Sequence, residues 1–316
     1  MYQIGVDIGG TYIKIGLLDE TLQIVAKTKF PFPQEDASVM ADRLFAEVQT
    51  LLTENGISLT QLESVGVVVP GSIDPTGSSV IDAHNLGYHN VPLKALVGAK
   101  FPGLPVYIAN DANAAAVAEL YRGAFVGCKT AVLFTLGTGV GGGIILNGHM
   151  FNGGRNQGSE LGHAILVDGG EVCTCGNHGC IEAYCSASAL VRDGRRAMLS
   201  HPESALWKVC EGDAEKLHPM IFIDCVRAGD ETANAVFADY LEHLSSACAT
   251  VFNILDPEVI AIGGGLSGMG ELLFAPLQEK VTEKCFYKTR GKVVPAVMGN
   301  DAGMVGAAML HRDTIS

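Results

Sequence analysis

The 316-residue sequence predicts an α/β fold in two domains. Three observations point there. Short apolar runs that end in glycine alternate with helical periodicities along the chain. The length exceeds that at which one core usually serves. One pattern, an apolar strand followed by a Gly/Thr turn and a second apolar strand, occurs at residues 3–18 and again at 130–148, which suggests two related halves.

The elements follow in order. Residues 3–18, "QIGVDIGGTYIKIGLL", read as a hairpin turning at "DIGGT". Residues 37–54 read as an amphipathic helix capped by Asp36, with Met40, Leu44, Val48 and Leu51 on one face and Asn55-Gly56 at its end. "SVGVVVPG" is a buried strand stopped by Pro70-Gly71, and "PVYIAND" is a strand from Val106 that runs into Asn110-Asp111. "ANAAAVAELYRG" is a helix closed by Gly123, and the second strand–turn–strand unit follows it. Residues 231–255 form a long helix with Val236, Tyr240, Leu244, Cys248, Val251 and Leu255 in one stripe. It feeds the strand "EVIAIGGG", and "NDAGMVGAAML" is a final helix. No low-complexity linker separates the halves, and a boundary near residue 112 is expected.

Composition narrows the class of function. The formal charge of −13 opposes binding to nucleic acid and to anionic lipid surfaces. No apolar run approaches the ~20 residues of a membrane span, and the start "MYQIGVDIGG" lacks the features of a signal peptide. A cytoplasmic location is expected, where thiols stay reduced. The nine cysteines therefore argue against a disulfide framework. The 39 glycines gather in "DIGGT", "LGTGVGGG", "NGGRNQG" and "IGGG", places where a ligand approaches backbone.

Three motifs carry chemistry. In "DIGGT", the amides around Gly9 and Gly10 can cradle an anion, Asp7 can hold Mg²⁺ and Thr11 can bond a phosphate oxygen; the alternative is an ordinary hairpin turn. "TLGTGVGGG", with Gly137, Thr138 and Gly139, offers a second uncharged turn. Neither is a Walker loop or a dinucleotide fingerprint, because no Gly-Lys-Ser/Thr follows and a strand rather than a helix comes next. In "IAND", Asp111 stands where a strand meets a helix, either as a helix cap or as a general base for a hydroxyl nucleophile. In "CTCGNHGC", Cys173, Cys175 and Cys180 together with His163 supply three thiolates and an imidazole, the donor set of a structural tetrahedral Zn²⁺. A redox pair would more often read Cys-x-x-Cys. The other six cysteines read as small buried hydrophobes. Glu160 and Glu182 flank that site, as acceptors for vicinal sugar hydroxyls or as plain surface carboxylates.

These stretches, together with "VPGSID", "NLGYHNVPL", "SELGH" and "NDAGMVGAA", resemble the ROK family of bacterial sugar kinases and repressors over nearly the whole chain and in the family's order. The resemblance implies an actin-like ATPase/sugar kinase (ribonuclease H-like) fold of two domains with a central cleft. Residues 1–112 plus 298–316 would form the N-terminal domain and residues 113–297 the C-terminal one. ATP would bind through Asp7, Gly9, Gly10, Thr11, Lys14, Gly137, Thr138 and Gly139, with adenosine against Gly263, Gly264 and Gly265. The sugar would meet Gly71, Asn85, Asn110, Asp111, Glu160, His163 and Glu182, and Asp111 falls on the catalytic base. The implied activity is transfer of the ATP γ-phosphoryl group to the 6-hydroxyl of a hexose. "NLGYHNVPL" is similar to the glucokinase version of its loop; N-acetylmannosamine and N-acetylglucosamine kinases share the same site residues. Family repressors carry an N-terminal helix-turn-helix, for which a hairpin starting at residue 3 leaves no room, so a sugar-sensing regulator is the alternative class. A homodimer is the expected assembly.

Overall fold

In the computed structural model, which describes residues 1–33 and 36–313, the N-terminal hairpin forms as expected. β1 (Tyr2–Ile8) and β2 (Tyr12–Leu18) pair antiparallel, with Asp7 opposite Lys14. β3 (Ile24–Pro31) extends the hairpin. α1 (Ala37–Glu54) starts at Asp36, whose carboxylate accepts the Ser38 amide, and stops at Asn55. Its apolar face buries Met40, Leu44, Val48 and Leu51, each worth about 1.5–3 kcal/mol when fully taken from water. β4 (Leu62–Val69) ends at Pro70 as its sequence requires. β5 (Ser72–Ile73), β6 (Val80–Ala83) and β7 (Tyr88–Val91) make a small antiparallel sheet, followed by α2 (Leu93–Gly98). β8 (Val106–Asn110) passes directly into α3 (Asp111–Arg122).

The second strand–turn–strand unit is β9 (Ala131–Leu136) and β10 (Val140–Leu146), with β11 (His149–Met150) after it. Then come α4 (Glu182–Cys185), α5 (Ala187–Ser200), α6 (Ala205–Val209) and α7 (Pro219–Arg227). α8 (Glu231–Leu255) spans the expected limits and is capped by Asp230. Its stripe is wider than the periodicity implies: Phe237, Leu241 and Phe252 are buried beside Tyr240, Leu244, Cys248 and Val251, while Val236 and Leu255 are half-buried. β12 (Val259–Gly263), α9 (Glu271–Lys284), β13 (Lys292–Pro295) and α10 (Ala302–Met309) complete the chain.

The two large sheets share one plan. The orders are β3-β2-β1-β4-β8 and β11-β10-β9-β12-β13, so each sets three consecutive strands beside two further ones. β4 and β8 run parallel to β1, and β12 and β13 run parallel to β9. This is the repeated supersecondary unit seen in the sequence.

Two compact units result. Unit 1 is Met1–Lys129, Gly143–Ser159 and Val297–Ser316; unit 2 is Thr130–Gly142 and Glu160–Ala296. Residues 113–129 and 143–159 fall in unit 1 and not, as expected, in the second domain; the expected return at residue 298 lies one residue from Val297, and the last three residues of that segment lie outside the described residues. α3 stays in unit 1 because its Val117 and Ala118 pack with Met304, Val305 and Ala308 of α10. α10 also lies close on the sheet of unit 1. A Cβ on Gly66 of β4 would stand 1.8 Å from the Ala307 carbonyl oxygen, so only glycine permits that approach.

Candidate active site

Unit 1 holds three groups of the expected site residues. The first is the turn between β1 and β2, where the Gly9 amide donates to the Tyr12 carbonyl at 3.0 Å and Gly10 and Thr11 are exposed. Lys14 Nζ lies 3.1 Å from Asp7 Oδ2 and 2.9 Å from the Asn300 carbonyl. The second is Asn85, which sits beside Gly10: a Cβ there would come within 3.3 Å of the Asn85 carbonyl. The third lies at the carboxyl end of β8. Asn110, not Asp111, caps α3; its Oδ1 accepts the amides of Ala112 and Asn113 at 2.9 and 3.1 Å, and its Nδ2 donates to the Gly71 carbonyl at 3.1 Å. Asp111 is therefore the first helical residue, and its Oδ1 accepts the Ala112 amide at 2.8 Å. The positive end of the helix favours a carboxylate there.

Unit 2 holds the rest. The donor atoms of His163, Cys173, Cys175 and Cys180 all lie within 4.8 Å of one another. Cys173 Sγ is 3.6 Å from His163 Nδ1, and Cys175 Sγ is 3.7 Å from Cys180 Sγ. Bonds of about 2.3 Å to sulfur and 2.0–2.1 Å to nitrogen require tetrahedron edges of about 3.6–3.8 Å. Donor chemistry and spacing thus both fit a zinc ion, held on Nδ1 of the imidazole. Gly176 and Gly179, at φ +88° and +83°, supply the left-handed turns that fold the loop back. Burial pushes the Cys173 thiol up to about 12, whereas a hydrogen bond from the Asn177 amide holds the Cys175 thiol down. Ligation would replace these protons with a divalent charge.

The two flanking carboxylates differ. Glu182 is 9% exposed and bonded at both oxygens: Oε2 accepts the Val140 amide at 3.0 Å, and Oε1 accepts the Thr174 hydroxyl at 2.5 Å. Glu160 keeps exposed surface. Its carboxyl is nonetheless held above the ordinary range by partial burial, an effect that His163 opposes and the charge of Glu182 reinforces.

The second glycine turn lies in the same unit. The carbonyl of Gly137 accepts from the Ala187 amide, and that of Thr138 from the Ser188 hydroxyl, each at 2.8 Å. The third glycine run meets it: Gly264, at φ +79°, would bring a Cβ within 2.4 Å of the Leu136 carbonyl oxygen. Several partners are not evident from motif reading. Ser188 lies in none of the motifs, and Asn300, the first residue of "NDAGMVGAA", meets Lys14 through its backbone carbonyl, which motif reading does not show. Thr174 could have been noticed, as the hydroxyl set between two candidate thiolate ligands.

The ROK family model matches residues 3–314. A glucokinase of Thermotoga maritima is 36% identical, over 99% of this chain and 98% of that protein. Among solved structures, a ROK family glucokinase from Streptomyces griseus in complex with glucose and AMPPNP superposes with a TM-score of 0.81 at 34% identity, covering 98% of this chain and 99% of that one. A ROK hexokinase from Thermus thermophilus gives a TM-score of 0.83 at 29% identity, covering 98% and 97%. The fold is thus that of ROK sugar kinases, of the actin-like class. With the family model spanning nearly every residue and a relative above one-third identity along its whole length, the chain belongs to the ROK family.

Proposed function

We propose that this protein is an ATP-dependent hexokinase that phosphorylates the 6-hydroxyl of D-glucose. The observation that carries this reading is Asp111, which opens α3 at the carboxyl end of β8 in a chain similar to glucokinases along its full length. The sugar hydroxyl attacks the γ-phosphorus, its proton passes to the Asp111 carboxylate, and the bond to the β-phosphate oxygen breaks to release ADP. Gly71, Asn85, Asn110, Glu160, His163 and Glu182 are assigned to holding the sugar. His163, with Nδ1 turned to the thiolates, keeps Nε2 for a hydroxyl.

The glycine turns at Gly9–Thr11 and Gly137–Gly139 are assigned to the phosphates, and Gly263–Gly265 to adenosine. Asp7 is assigned to Mg²⁺, which when bound neutralises phosphate charge. His163, Cys173, Cys175 and Cys180 would hold a structural Zn²⁺ that fixes the loop bearing Glu182. The reading includes a homodimer acting in the cytoplasm, testable by sedimentation and fractionation. No helix among the described residues is long and apolar enough to cross a membrane.

The test is ADP release with Mg-ATP across glucose, mannose, fructose, allose, N-acetylglucosamine and N-acetylmannosamine. A response confined to glucose is expected. Preference for an N-acetyl sugar would move the substrate assignment, and silence with every sugar would overturn kinase activity in favour of a regulator.

A further inference from the structure

The Gly137–Val140 turn and the loop of metal donors are fastened to each other inside unit 2. Two of the links converge on Val140. Its amide donates to Glu182 Oε2 at 3.0 Å, and the other oxygen of that carboxylate takes the hydroxyl of Thr174, the residue between Cys173 and Cys175. From the opposite arm of the loop, Gly162, next to His163, abuts the same backbone: a Cβ there would stand 2.0 Å from the Val140 carbonyl oxygen. The carboxylate reaches the turn because Gly139 has no side chain; a Cβ at that position would lie 2.4 Å from Glu182 Oε2. Both ends of the donor loop therefore bear on one residue of the turn. The segment that follows Glu182 adds the bonds from Ala187 to Gly137 and from Ser188 to Thr138.

We propose that Glu182 is a positioning residue for the nucleotide turn, so that the metal-held loop governs the affinity for the phosphate donor as well as that for the sugar. This rests on the reading of residues 137–140 as an ATP phosphate turn. The Cys173 thiol also lies 3.5 Å from Oε1, and a buried carboxylate bonded at both oxygens makes charge-assisted bonds that fix its partners. Thr174 cannot shift without moving Oε1, and Oε2 cannot move without releasing the Val140 amide. Loss of the ion would free Cys173 and Cys175 on either side of Thr174, and the disturbance would reach the turn through this one side chain.

The test is binding of AMPPNP without sugar, by calorimetry, to metal-loaded wild type, metal-depleted wild type, Glu182→Ala, Glu182→Gln and Thr174→Val, with zinc measured in each. Glu182→Ala and metal depletion are expected to weaken AMPPNP binding on the order of tenfold, the loss of one charge-assisted bond. Thr174→Val is expected to weaken it by about threefold with zinc retained. Glu182→Gln keeps one acceptor oxygen but loses the charge and the second acceptor, so its affinity should fall between those of wild type and Glu182→Ala. Unchanged AMPPNP affinity in Glu182→Ala and in depleted protein, with only the KM for glucose raised, would overturn the inference alone. If Glu182→Ala fails to fold, unchanged affinity in Thr174→Val has the same force. Failure of metal-loaded wild type to bind AMPPNP would overturn the phosphate-turn reading and this inference with it.

Discussion

Lys14 ties the first glycine turn to the start of the last helix: its ammonium lies 3.1 Å from the Asp7 carboxylate and 2.9 Å from the Asn300 carbonyl. It stands directly across the β1–β2 ladder from Asp7, which sets the side chains within reach of each other. Lys14→Met should raise the KM for Mg-ATP on the order of tenfold, the usual scale when a group that orients a metal ligand is lost. Lys14→Arg should recover part of it. Steady-state kinetics at varied Mg²⁺ checks both.

Asp111→Asn should lower kcat by about 10²–10⁴-fold, the scale of general-base catalysis, and leave glucose binding by calorimetry nearly intact. Substantial residual turnover would reduce Asp111 to a structural residue. Because the capping role belongs to Asn110, the substitution should hardly change the melting temperature. Asn110→Ala should lower stability by about 1 kcal/mol through loss of the cap.

Cys175→Ser should reduce bound zinc and raise the KM for sugar. Prolonged chelation of wild type should do the same, with recovery on adding Zn²⁺. Elemental analysis that finds full zinc in Cys175→Ser would remove that residue from the ligand set.

Gly66→Ala places a methyl group against the Ala307 carbonyl. Overpacking of this kind costs about 1–3 kcal/mol, so a lower thermal midpoint is expected. Gly77→Ala makes a useful contrast: it strains a left-handed turn, but its added carbon meets no atom within 4 Å.

Asp74 gives a pH dependence. Some burial raises its carboxyl, but the hydroxyl of Thr76 and the amides of Ser79, Ser78 and Thr76 outweigh this and hold it down at about 2. A depressed native value stabilises the fold above the unfolded value near 3.8 and loses that contribution as pH falls toward 2. Wild type should therefore exceed Asp74→Asn in urea midpoint at pH 7. The gap should shrink below about pH 4 and close near pH 2. A gap independent of pH would mean that the amide replacement acts by shape and not by charge.

The elements with strong local signals were legible in the sequence. α1 and α8 begin and end at their caps because Asp36, Asn55 and Asp230 act within a few residues of the helix they bound. The paired glycine turns and the Cys/His spacing were legible for the same reason. The sequence left Asp111 as helix cap or general base; the cap is Asn110, whose Oδ1 accepts the Ala112 and Asn113 amides while its Nδ2 donates to the Gly71 carbonyl, 39 residues away. The return of the last helix to the first domain came only through the family resemblance; the placement of α3 and of residues 143–159 in unit 1 was not legible, because it depends on α3 packing against α10, a pairing across most of the chain. The engagement of both Glu182 oxygens was equally hidden, since one partner lies 42 residues earlier.

The place of α10 also bears on biosynthesis. Strands β1 to β8 of unit 1 are translated before unit 2, yet the helix that lies over Gly66 and packs on α3 is translated after it. Residues 160–296 of unit 2 are all translated before it. The first domain to be made is thus the last to be finished, and a chain that stops short of Ala302 leaves its oldest sheet uncovered and open to aggregation.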